Sequence, residues 1–115
     1  MIKVEIGYSE AERECRLRVR GHAGQAEVGQ DIVCASASIL AYTLAQVVKA
    51  MDSHGDFAEP AVIELESGDA IIICQAKDDY LFSEVLHAFF VIKTGFALLA
   101  HNYPQFVELI TDVEA

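Results

Sequence analysis

Residues 14–51 read ECRLRVRGHAGQAEVGQDIVCASASILAYTLAQVVKAM, and the change of rhythm inside them sets the fold class. Cys15, Leu17 and Val19 alternate with Glu14, Arg16, Arg18 and Arg20. A period of two predicts a strand with one buried face. Gly21 to Gln30 carries three glycines and no period, and is expected to be a loop. From Ile32 to about Met51 the chain is rich in Ala and Leu, with Ile39, Tyr42, Leu44, Val47 and Val48, and reads as a helix. So few polar residues along it imply burial on most sides, within the domain or at a subunit contact. Asp52-Ser53-His54-Gly55 supplies a stop.

Outward from that stretch, Ile2, Val4, Ile6 and Tyr8 alternate with Lys3, Glu5 and Gly7, a second half-buried strand joined to the first by the polar turn Ser9–Glu12. The arginines of the later strand lie opposite Lys3 and Glu5, and either pair with Glu5 or stand on a solvated face. Ala61–Glu66 and Ile71–Ala76 flank Ser67-Gly68-Asp69-Ala70, which reads as a β-hairpin. Between Asp79 and about His101, Leu81, Val85, Phe89, Ile92, Phe96 and Leu99 recur at helical spacing, with Asp79 as the N-cap and Pro104 beyond the end. Phe106–Ile110 is a short final strand or a helix. The order ββαββα, with an optional last strand, predicts an α+β two-layer sandwich: two helices on one face of a mostly antiparallel sheet. At 115 residues a single domain over 1–115 is expected.

A hydrophobic content of 53% argues against disorder. Eighteen acidic residues against 8 basic ones leave a formal charge of −10, which repels nucleic acid and anionic lipid and steers a basic partner inward. The longest charge-free run, Ile32–Val48, is shorter than the roughly 20 residues of a membrane span and contains Ser36, Ser38, Thr43 and Gln46. The start, MIKVEIGY, alternates like a strand and has no basic region followed by an apolar block, so the cytoplasm is the expected compartment. Cys15, Cys34 and Cys74 are odd in number and show no C-x-x-C spacing, and are expected to be free thiols. Cys15 and Cys74 fall on strand positions suited to packing. His54, His87 and His101 lack metal-ligand spacing, so neither metal nor cofactor is expected. Phe82, Phe89, Phe90 and Phe96 suit a core or a dimer contact better than a ligand cage. Glu64-Leu65-Glu66 and Lys77-Asp78-Asp79 suit solvated sheet edges.

The chemistry gathers between the strand and the helix. With Asp31 as the N-cap, Cys34 falls at the third helical position, where the macrodipole presents about half a positive charge. A cysteine in such a place drops from about 8.5 to between about 3.5 and 7.5, although a neighbouring carboxylate works against this. His22 lies directly behind the strand, and the loop from Ala23 to Gln30 returns the chain to the helix. A Cys–His pair is the minimum for nucleophilic acyl transfer: thiolate attacks and imidazolium protonates the leaving amine. Free N–H groups in the first helical turn would hold the oxyanion, and Asp31 would orient the imidazole or cap the helix. The plainer account of these residues makes Cys34 a packing residue, Asp31 a cap and His22 part of a turn.

Gly21-His22-Ala23, followed by Asp31-Ile32-Val33-Cys34-Ala35 and then Ser38, resembles the signature of the ribosomal-processing cysteine proteases, the Prp family. The resemblance covers nearly the whole chain, through the hairpin and the second helix to Asn102-Tyr103-Pro104. It implies a small cofactor-independent cysteine endopeptidase that forms homodimers and removes the short N-terminal extension of a large-subunit ribosomal protein, cutting after a Phe-Phe pair. It implies that His22 and Cys34 are the catalytic pair, with Asp31 and Ser38 close by. Ser36 stands where glycine or alanine is expected. A substrate loop marked by Gly21, Ala23, Gly24 and Gly29 would fold over an extended peptide, and a basic ribosomal partner suits a −10 protein. Two other accounts stay open: a non-catalytic acidic binding module or ribosome-assembly factor, and a redox sensor, which would need a second cysteine beside Cys34.

Overall fold

The computed structural model describes residues 1–22 and 28–114, with residues 28–31 and 112–114 described by backbone alone. The elements run β1 (Ile2–Ser9), β2 (Glu14–Gly21), α1 (Val28–Ser53), β3 (Val62–Glu66), β4 (Asp69–Gln75), α2 (Asp79–Asn102) and β5 (Val107–Glu114). The five strands form one sheet in the order β3-β4-β2-β1-β5. Three neighbouring pairs are antiparallel, and β5 lies parallel to β1. The final segment is therefore a strand, and a longer one than Phe106–Ile110. It is parallel because α2 is a crossover that carries the chain back to the end of the sheet where β1 starts. Ile2 N–H donates to the Phe106 carbonyl at 2.7 Å, opening that pairing.

Strand alternation divides the sheet into two unlike faces. Ile2, Val4, Ile6, Cys15, Leu17, Ile72 and Cys74 are buried toward the helices, while Lys3, Arg18, Arg20 and Glu64 on the other face are exposed. The arginines are paired. Arg20 reaches Glu5 at 2.5 Å, and Arg18 meets both oxygens of Asp69 at 3.3 and 3.2 Å. These pairs are close to half exposed, so they fix the local arrangement more than they stabilise it. β3, with Glu64 and Glu66 exposed, is an edge strand, where charge discourages pairing with another chain.

Each helix buries one stripe. On α1 the stripe is Val33, Ala37, Ala41, Leu44, Ala45 and Val48; on α2 it is Phe82, Val85, Phe89, Ile92, Phe96 and Leu99. Alanines at 37, 41 and 45 let α1 lie close to its neighbours while the larger α2 side chains fill the core. The helices touch at Gly95, where a Cβ would come within 2.6 Å of Leu40 Cδ2. Within the single chain α1 is not buried on most sides, so of the two expected settings the domain interior covers only part of it. Ile39 is 63% exposed and Tyr42 46%, because a two-layer sandwich covers a helix on the sheet side only. Both helices are long and apolar enough to cross a membrane by length and composition; here each turns its buried stripe to the shared core.

The cap of α2 lies one residue, and the start of α1 four residues, before the sequence expectation. The N-cap of α2 is Asp78, not Asp79: its side chain accepts from Leu81 N–H at 2.9 Å. Asp79 is the first helical residue and pairs with Arg13 at 2.7 Å. In α1 the helix begins at Val28, so Gly29 belongs to it, and Asp31 is its fourth residue rather than its cap. An acidic residue is favoured both at the cap and in the first turn, so the residue type alone did not separate the two positions.

Candidate active site

The end of β2 is held on both sides. Gly21 N–H donates to the Gly68 carbonyl at 2.9 Å across the sheet, and the Met1 nitrogen donates to the His22 carbonyl at 2.6 Å. Gly21 has φ +96, and a Cβ there would run into the Met1 carbonyl oxygen, so only glycine fits between the strands. His22 follows at once, its backbone anchored and its side chain exposed. The turn between β3 and β4 rises beside it: the His22 ring lies against Gly68, whose φ is +78.

Cys34 approaches the same place from α1. It is half-buried and lies one residue past the fully buried Val33. A cleft of about 150 Å³ opens between the N-terminal part of α1, the end of β2 and the β3–β4 turn. His22 and Cys34 both line it, together with Gly21, Ser38, Tyr42 and Gly68. Ile2, Val19, Ala37 and Ala70 add an apolar wall, and Glu66 and the Arg18-paired Asp69 add carboxylates. The cleft therefore holds a thiol and an imidazole beside apolar surface and carboxylates.

Of the residues expected from sequence, the structure brings His22, Cys34, Ser38 and Gly21 to one cleft. Ala23, Gly24 and the side chain of Asp31 lie outside the described residues. The geometry of Cys34 differs from the expectation. It is the seventh residue of α1, not the third. Nearly two turns in, a residue sits beyond the reach of the helix's positive end, and its N–H belongs to the helical ladder. Activation by the dipole and an oxyanion site from first-turn N–H groups therefore do not hold for this thiol. The His22 imidazole lines the same cleft. Ser36 is not part of the lining: its hydroxyl donates to the Ile32 carbonyl at 2.7 Å, satisfied within the helix.

Sequence reading did not single out Tyr42, Glu66, Ser67, Gly68 or Asp69, all of which line the cleft. Ser38 and Tyr42 stand four and eight positions after Cys34, so helical spacing carried that signal. The turn residues carried none, because only the pairing of β4 with β2 brings them to His22.

The other cysteines are packed elsewhere. Cys15 and Cys74 are buried and face each other across β2 and β4. Burial pushes the Cys15 thiol up to about 12, with the Glu14 carboxylate adding to the effect. Cys74 is raised too, chiefly by burial and then by Cys15. Among the described residues neither lines the cleft, so a resolving partner for Cys34 is not found there. Among the described residues, too, no three His, Cys, Asp or Glu side chains gather as a metal site requires. A larger cleft of about 640 Å³ lies toward the other end of β1, against α2, lined by Tyr8, Leu86, Phe90 and His87. Among the described residues no thiol lines it, whereas Cys34 lines the smaller one.

A small α+β domain with a thiol and an imidazole on one cleft has the form of a thiol-dependent hydrolase. The model of the cysteine protease Prp family matches residues 1–108, and the chain belongs to that family: it is a cysteine protease. Among solved structures it is similar to SMU.848 from Streptococcus mutans, with 26% identity over 99% of this chain and 96% of that one and a TM-score of 0.70. It also shares its fold with the essential ribosomal processing protease Prp from S. aureus. In complex with a substrate peptide that protein gives 21% identity over 97% of this chain and 100% of its own, with a TM-score of 0.66. With a covalently linked product peptide it gives 23% identity over the same shares and a TM-score of 0.64. A comparison with curated protein sequences gives no match.

Proposed function

We propose that this protease is a cofactor-independent endopeptidase that trims the N-terminal extension of a basic large-subunit ribosomal protein after a Phe-Phe pair, acting in the cytoplasm. The observation that carries the reading is the presence of His22 and Cys34 on one cleft. Cys34 is the nucleophile and His22 the acid and base. The Cys34 sulfur attacks the scissile carbonyl carbon; the C–N bond then breaks as the imidazolium gives its proton to the leaving amine. Water, deprotonated by the neutral imidazole, cleaves the thioester and restores the thiol. Asp31 and Ser38 support this pair. A covalently linked product in the S. aureus protein of the same fold is consistent with such an intermediate.

Substrate preference follows from the walls of the cleft. Ile2, Val19, Ala37 and Ala70 are apolar and would receive phenylalanine. Glu66, together with a net charge of −10, favours a basic substrate and disfavours nucleic acid, while the Asp69 charge is offset by Arg18.

The working unit is a homodimer, joined through the outer face of the helix layer. Ile39, Val47, Val91 and Leu98 are exposed there. No charged residue interrupts α1 from Ile32 to Val48, so a second −10 chain meets little repulsion on that face. Two helices of this length side by side offer roughly 700 Å², close to the ~800 Å² per partner of a standard interface.

Mass spectrometry of a peptide carrying a Phe-Phe site, incubated with the protein, tests the reading. Wild type is expected to cut after the second Phe, Cys34→Ala to be inert, and His22→Ala to be slower by roughly 10²–10⁴-fold. Cleavage by Cys34→Ala, or an intact peptide with wild type, overturns it.

A further inference from the structure

The β3–β4 turn bears directly on the imidazole, and we propose that Gly68 is a positioning residue for His22, seating the ring by having no side chain. The inference rests on His22 acting as acid and base. A Cβ at Gly68 would lie 2.5 Å from His22 Nε2 and 2.7 Å from Cε1, with Cδ2 at 3.4 Å. Separations under about 3 Å force something to move. The backbone on either side of the ring is poorly placed to move. Gly68 accepts the Gly21 N–H at 2.9 Å, the His22 carbonyl is held from Met1 at 2.6 Å, and Gly21 has no room against Met1. The displacement must therefore be taken by the imidazole, whose distal edge faces the turn. A ring pushed off that seat changes its position relative to Cys34, which lines the same cleft, while the cleft itself stays formed.

Gly68 also has φ +78, so any L-residue there is strained as well as crowded. Two comparisons separate these effects. Asn tolerates positive φ far better than Ala but carries the same Cβ. Gly55 has φ +74 with nothing within 4 Å, so Gly55→Ala adds the strain without the crowding.

The experiment measures kcat and KM on the Phe-Phe peptide for Gly68→Ala, Gly68→Asn and Gly55→Ala. It also records the His22 imidazole resonances by NMR without substrate. Both Gly68 variants are expected to lose about 10²-fold in kcat, with KM little changed and the His22 resonances shifted. Gly55→Ala is expected to melt earlier while keeping its kcat and its His22 resonances. Wild-type kcat in Gly68→Asn, or unshifted His22 resonances in both Gly68 variants, overturns the proposal. Should Gly68→Ala not fold, Gly68→Asn decides by the same two readouts. Full activity in His22→Ala would instead sink the underlying mechanism, an outcome distinct from an unmoved ring.

Discussion

Three cysteines share this chain, and their surroundings give them different chemistry. Cys34 is half-buried on a cleft, whereas Cys15 and Cys74 are buried within the sheet–helix core. Native protein treated with iodoacetamide at neutral pH is expected to take one adduct, at Cys34, and unfolded protein three, counted by intact mass. The raised pKa values also set an alkaline limit on stability. Burial lifts Cys15 from 9.0 to about 12, so the fold favours the protonated thiol. Its contribution is complete below about pH 9, where the unfolded thiol is also neutral, and is lost as pH rises from 9 toward 12 and the unfolded chain ionises first. Melting temperature should fall through that window, and less steeply in Cys15→Ala. A pH-independent melting temperature between 9 and 11 would contradict this.

At the scale of the element, the helix starts show how a polar residue beside an apolar run can be misread by position. Asp78 and Asp79 are adjacent and chemically identical, yet only Asp78 satisfies an N–H of the first turn. Asp78→Ala is expected to cost about 1 kcal/mol in a denaturant titration. Asp79→Ala, which breaks an exposed pair with Arg13, should cost less; the reverse order would place the cap elsewhere. In α1 the early start matters for chemistry. It moves Cys34 to the seventh position, away from the helix end, and in the proposed mechanism the imidazole is then the group that activates the sulfur. The rate of Cys34 alkylation at neutral pH should therefore fall when His22 is replaced by Ala, and an unchanged rate would assign activation to another group.

For the whole molecule, the uncovered outer face of the helix layer is the unresolved hydrophobic surface. Ile39 and Val91 are 63% and 64% exposed. The double variant Ile39→Glu/Val91→Glu should sediment as a folded monomer where wild type sediments as a dimer. A monomeric wild type would remove the dimer from the proposed function. The same two-layer arrangement explains both the apolar helices and the ion-paired outer face of the sheet, since a sandwich of one sheet and two helices has a single core.

Strand and helix identities were legible because period two and helical spacing report directly which side chains share a face. This held for β1, β2, the β3–β4 hairpin and α2, and the Gly-His…Asp-Ile-Val-Cys string pointed to Gly21, His22 and Cys34, which line one cleft. Other features were not local properties of the chain. The parallel docking of β5 on β1, the turn residues that wall the cleft, and the distance of Cys34 from its helix start depend on which elements become neighbours. Local pattern decides which face a residue turns inward. Only packing decides what it meets there, because residues 22, 34 and 68 are joined by strand pairing and helix docking and not by any spacing along the chain.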